Sequence, residues 1–144
     1  MSDLYAFLHP TKTGEEKEVY ISDRFQDENG NIVPFKIRAI TQDENEKLVR
    51  KSRKKIKGGV RSEETDYMEY GRRLVVAATV FPDFTSKEMC DNYGVVDPLL
   101  VPAKMLLSGE YAALTNEIMD FSGFDKEIAE EEAKNCLTEA TQRQ

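Results

Sequence analysis

The sequence predicts a single α+β domain, predominantly helical, with about five to six helices and an N-terminal two-stranded antiparallel β-hairpin. Three observations carry this. Residues 19–39 alternate apolar and polar with a period of two around an Asn29-Gly30 turn signal. From Thr41 onward the apolar residues recur at helical spacing between recognisable caps and stops. The chain has 144 residues, 40% of them hydrophobic, enough for one core and too few for two comfortable ones.

On the first strand Val19, Ile21 and Phe25 share a face; on the second Val33, Phe35, Ile37 and Ala39 do. A two-residue Asn29-Gly30 loop would set Phe25 against Pro34 and Ile21 against Arg38, crossing the faces. A three-residue loop, Glu28-Asn29-Gly30, pairs Phe25 with Val33, Ile21 with Ile37 and Val19 with Ala39. It also puts glycine at the left-handed third position. Two strands with one small apolar face are marginal alone, so the hairpin must rest on helices or on a partner. Pro34 cannot donate to a ladder, which points to an unpaired edge beside it.

Before the hairpin, residues 2–8 read as one short helical turn stopped near Pro10, followed by a polar lead-in from Thr11 to Glu16. After it, Thr41 and Glu44 form a capping box for a helix from about Gln42 to Ile56, stopped by Gly58-Gly59. With Leu48, Val49 and Ile56 as its main apolar residues, this helix belongs at the surface. Asp66 opens the central core helix, which runs to about Phe81 and stops at Pro82. Tyr67, Tyr70, Leu74, Ala78 and Phe81 form its stripe, widened by Val75, Val76 and Val80. Gly71 within it is expected to allow close approach of another element. A short helix follows from Ser86 to Asn92, ended by Tyr93-Gly94. Asp97 then caps a helix with Pro98 first, Pro102 within about a turn and an end near Leu107. Ser108 is placed to cap the next helix, striped by Tyr111, Leu114, Ile118 and Phe121 up to Gly123. A last helix starts near Asp125 with Ile128, Ala129, Ala133 and Leu137 among acids. It frays into 138–144, so both ends, 1–16 and 138–144, are expected to be flexible.

The net charge of −7 opposes general nucleic-acid binding. No apolar run approaches the roughly 20 residues of a membrane span, and the start MSDLYAFLHP lacks a secretory signal's basic and apolar regions. A soluble cytoplasmic protein is expected. Cys90 and Cys136, 46 positions apart and without metal-ligand spacing, read as free thiols in a reducing compartment. His9 lacks a nearby partner acid or base, and Cys90 lacks a nearby histidine, so neither builds a nucleophilic site. There is no phosphate loop, dinucleotide fingerprint or zinc signature. The acids of DENGN, with Asp27 and Glu28, lack the spacing of an EF-hand. No cofactor, metal or catalytic residue is expected. Residues 47–62 hold eight cations (Lys47, Arg50, Lys51, Arg53, Lys54, Lys55, Lys57 and Arg61) and no acid, which leaves 12 cations and 27 acids elsewhere. A solvated helix end whose cations favour the macrodipole accounts for the run; docking of an acidic partner or nucleic acid is the functional alternative. The candidate partner-binding residues are accordingly Arg50, Lys51, Arg53, Lys54, Lys55, Lys57 and Pro34.

Several ordered blocks resemble the XkdN-like family of phage tail assembly chaperones. They are Phe7-Leu8 with Pro10; Arg24-Phe25 with Asp27 and Asn29-Gly30; Pro34-Phe35, Ile37-Arg38, and Thr41 with Glu44-Asn45. Leu74 to Ala78 with Phe81-Pro82-Asp83 follows, then Tyr93-Gly94-Val95, Lys104 to Leu107 with Gly109-Glu110-Tyr111, and Gly123-Phe124-Asp125. The similarity spans roughly residues 4–134; the basic run and the tail after about Lys134 are its least family-like parts. The resemblance implies a non-catalytic protein of the host cytoplasm that holds the tape measure protein and helps tail tube subunits gather around it. A structural tail component retained in the virion, and a small nucleic-acid-binding regulator acting through 47–62, are the alternatives.

Overall fold

The computed structural model describes residues 3–11, 16–55 and 63–124. Its elements follow the chain as α1 (Leu4–Leu8), β1 (Glu16–Val19), β2 (Phe35–Arg38), α2 (Gln42–Lys51), β3 (Arg53–Lys55), β4 (Glu63–Thr65), α3 (Tyr67–Ala78) and β5 (Thr79–Phe81). Then come α4 (Lys87–Tyr93), a 3-10 turn (Pro98–Leu100), α5 (Val101–Met105) and α6 (Ser108–Phe121). The predicted α+β class, mostly helical with an N-terminal hairpin, is the observed one. The last predicted helix, Cys136 and the tail lie outside the described residues.

At its tip the hairpin takes the predicted form. The Val33 amide donates to the Phe25 carbonyl (2.8 Å), Gly30 donates to Asp27 (3.0 Å), and Gly30 sits at φ 83°. Further down the register differs. Val19 faces Phe35 and Lys17 faces Ile37, rather than Ala39 and Ile21. Between tip and base, residues 20–25 stand opposite only Val33 and Pro34, so the first arm carries four extra residues. Pro34 interrupts the ladder there, and a turn at Ser22–Arg24 takes up the slack, with the Gln26 side chain donating from Nε2 to the Asp23 carbonyl (2.9 Å). Because the offset is even, odd residues still meet odd residues and the faces are kept.

The sheet has a third strand. β5 pairs antiparallel with β2, giving the order β1-β2-β5, so β2 is central and Pro34 does not mark an open edge. The expected core helix thus ends three residues early: Val80 and Phe81 are extended and exposed instead of helical. A residue before proline is pushed out of the α region, and Phe81 precedes Pro82 through a cis peptide.

α2 also ends before its predicted stop. The buried Ser52 turns its hydroxyl onto the Leu48 carbonyl (2.7 Å), and its own carbonyl takes the Asp66 amide (2.7 Å). The basic run then enters a second sheet, where Lys54 faces Glu64 and Lys55 faces Glu63. Opposite charges directly across a ladder stabilise a strand pair that propensity alone disfavours.

The core joins Val19, Phe35 and Ile37 of the sheet to Leu74, Val75 and Ala78 of α3 and to Leu114 and Ile118 of α6, with Ile40, Phe84, Cys90, Val101 and Leu106 also in the cluster. The hairpin therefore packs on the predicted central helix. Capping follows the sequence closely. Thr41 and Glu44 form their box, and Asp66, Ser86 and Asp97 each accept from a first-turn amide. At α6 the predicted cap is displaced: Leu107 holds the N-cap position and Ser108 is already helical. The Glu110 carboxylate accepts from the Leu107 amide (2.7 Å). Gly94 and Gly123 both turn left-handed after their helices, at φ 66° and 82°. Gly71 is not a close-approach site: a Cβ there would meet only the Tyr111 hydroxyl at 3.9 Å, an ordinary contact.

Candidate binding groove

The hairpin tip is drawn against the α5–α6 junction by one ion pair. Arg24 donates from Nε and Nη2 to the two oxygens of Glu110 at 3.0 and 2.5 Å, and Nη2 also reaches the Met105 carbonyl at 3.2 Å. The Arg24 hydrogen bonds, that of Ser22 and the Leu107 amide together hold the Glu110 carboxyl well below its ordinary range, at about 2. A second pair, Arg38 with Glu44 (2.7 Å), fixes the end of β2 to the start of α2, and Arg38 Nε also donates to the Ala77 carbonyl. Arg24 lies over the Phe25 ring, 5.1 Å from its centre, and Phe25 meets Phe35 edge to face at 5.3 Å.

So held, the tip forms one wall of an open groove of about 320 Å³. Phe25, Val33, Pro34 and Phe35 line that wall; Phe81 and Pro82 line the next; Met89 and Tyr93 of α4, with Met105 of α5, close the far side. Glu88 and Asn92 also line it. Four aromatic rings, two prolines and two methionines give an adaptable apolar surface with one charged group in its lining. A second hollow of about 280 Å³ is polar, but its Asp66 and Asp97 carboxylates already accept from Glu69 and Leu99 amides.

The predicted partner-binding residues do not converge. Pro34 lines the groove. Arg50 and Lys51 end α2, Arg53 and Lys54 lie on β3, and none of these lines it. Lys55 belongs to β3 through its backbone, and Lys57 falls outside the described residues. Phe81, Met89, Tyr93 and Met105 were not singled out as site residues by sequence reasoning. The signal that could have flagged Phe81 was the proline after it. His9 stacks on Tyr5 (4.4 Å), and the Cys90 thiol is buried with its Sγ 3.7 Å from the Phe84 carbonyl. The Asp27 carboxylate accepts from the Asn29 and Asn31 amides, which bends the hairpin turn.

Residues 4–134 match the family model of the phage XkdN-like tail assembly chaperone protein. The chain belongs to that family. It is 37% identical over 137 residues to the phage-like element PBSX protein XkdN of Bacillus subtilis strain 168, covering 90% of this chain and 93% of that one. To YqbN of the same strain it is 39% identical over 137 residues, covering 90% and 92%. The crystal structure of YqbN superposes with a TM-score of 0.70 at 35% identity, over 87% of this chain and 99% of the other. Within this tail assembly chaperone, the resembling blocks of the sequence prove to be partners: Arg24 with Glu110, and Arg38 with Glu44. Asn45 of another block accepts from the Tyr70 hydroxyl, which lies outside those blocks.

Proposed function

We propose that this chaperone binds the tape measure protein of its phage in the host cytoplasm and assists tail tube assembly without catalysing a reaction. The groove between hairpin tip, β5, α4 and α5 supports this reading most directly. A long helical chain with apolar stripes aggregates unless those stripes are covered, and a shallow aromatic and methionine groove accepts one turn of such a stripe. The excess of acids over cations keeps the resulting complex soluble. Arg50, Lys51, Arg53 and Lys54 provide a separate surface for acidic stretches of the same partner.

Co-expression with the tape measure protein tests the proposal. The expected result is co-purification and a gain in the partner's solubility, both reduced at least tenfold by Met89→Glu in a variant that keeps its unfolding midpoint. Absence of co-purification with the wild-type chain rejects the reading. Reversing Arg50 and Lys51 to glutamate should leave solubilisation largely intact and flatten the salt dependence of binding.

A further inference from the structure

We propose that Asn29 is a site of spontaneous covalent modification, kept closed by the folded turn and opened when the hairpin tip comes apart. An asparagine followed by glycine is readily attacked by its own backbone, because glycine has no side chain to hold the two groups apart. Of the chain's asparagines only Asn29 precedes a glycine. Asn29 and Gly30 are both exposed, so water reaches the reacting atoms. In the reaction the Gly30 nitrogen bonds to Asn29 Cγ and gives up its proton. The Cγ–Nδ2 bond breaks, and the departing amide takes that proton and leaves as ammonia. The product is a cyclic imide, a succinimide. Water then opens either C–N bond of the ring. One opening leaves aspartate; the other leaves isoaspartate, in which the main chain runs through Cβ and Cγ.

The turn as folded blocks the first step in two ways. Ring closure requires Asn29 Cγ to take the place of the Gly30 amide hydrogen. That hydrogen points instead at the Asp27 carbonyl, with the nitrogen 3.0 Å from the oxygen. The peptide cannot swing round freely, because the Asp27 carboxylate also accepts from the Asn29 and Asn31 amides, both at 2.9 Å. The second block is electrostatic. The Asp27 carboxyl is held below its ordinary range first by the Asn31 amide, with those of Asn29 and Gly30 adding to the effect. A carboxylate so placed opposes loss of the Gly30 proton, which would set a second negative charge beside it. The turn is carried by the tip that Arg24 holds to Glu110. Conversion therefore proceeds through local opening of that tip, at a rate set by the open fraction. Isoaspartate lengthens by one atom a loop whose length fixes the strand register, so the modified turn no longer closes as before. This inference is independent of the tape measure reading and is tested without that partner.

The experiment incubates the full-length chain in mildly alkaline buffer, folded and in guanidinium chloride, and follows each asparagine by peptide mass spectrometry. Chromatography of the peptides separates aspartate from isoaspartate. In denaturant Asn29 should convert before any other asparagine. In the folded chain its conversion should be slower by roughly tenfold or more. Asp27→Ala and Arg24→Ala, each checked to be folded, should raise the folded rate several-fold. Equal rates in the folded and unfolded chains overturn the proposal, as does another asparagine converting first in denaturant. A folded rate left unchanged by either variant overturns it too. Should Asp27→Ala fail to fold, the wild-type comparison and Arg24→Ala decide.

Discussion

Glu110 shows how one side chain couples distant parts of the chain. It sits 86 positions from Arg24, accepts from its Nε and Nη2, and also caps α6 through the Leu107 amide. Its carboxyl pKa is depressed to about 2, so its contribution is full above the unfolded value near 4.5 and fades as pH falls from there toward 2. Glu44, lowered chiefly by its hydrogen bond from Arg38, acts in the same direction. Acid titration of the unfolding midpoint should show a decline across pH 4.5 to 2, and Glu110→Gln should make that decline shallower while lowering stability at neutral pH. Gly71 gives the opposite kind of prediction. With space for a methyl group beside Tyr111, Gly71→Ala should raise stability by roughly 0.5–1 kcal/mol through helix propensity, read as a higher midpoint in urea. A lower midpoint would mean that α3 and α6 approach more closely than the 3.9 Å contact implies.

Elements were legible in the sequence where local chemistry alone decides them. The helix starts at Thr41, Asp66 and Asp97 and the left-handed Gly30 lie within a few residues of what they satisfy, so spacing reveals them. The elements that were missed depend on partners far along the chain. β3 looks like a helix end until Glu63 and Glu64 are set opposite its lysines, and β5 looks like the last turn of α3 until β2 offers it a ladder. The groove was hidden for the same reason: its walls come from residues 25–35, 81–93 and 105, which no periodic pattern connects. Pro34 lines the groove, whereas the sequence argument that singled it out was an unpaired sheet edge. If charge pairing holds β3 to β4, Lys54→Glu puts two acids face to face and should cost roughly 0.2–1 kcal/mol. Hydrogen exchange should then speed up at β3–β4 and leave the core of α3 and α6 unchanged.

On the scale of the whole molecule, two ion pairs tie the hairpin to helices, Arg38 at the end of β2 to α2 and Arg24 on the first arm to α6. Arg38–Glu44 serves the core, and Arg24–Glu110 serves the groove. Removing Arg24 should therefore loosen the tip, with faster exchange at the Val33 amide and weaker partner binding, while the core keeps its protection. The four extra residues in the first arm of the hairpin sharpen this division of labour. They act as slack in a cable: adding or removing two residues within 20–24 lengthens or shortens the reach of the tip without changing which face meets the core. The reach of the tip is thereby an adjustable dimension, set by the length of the first arm and independent of the face that meets the core.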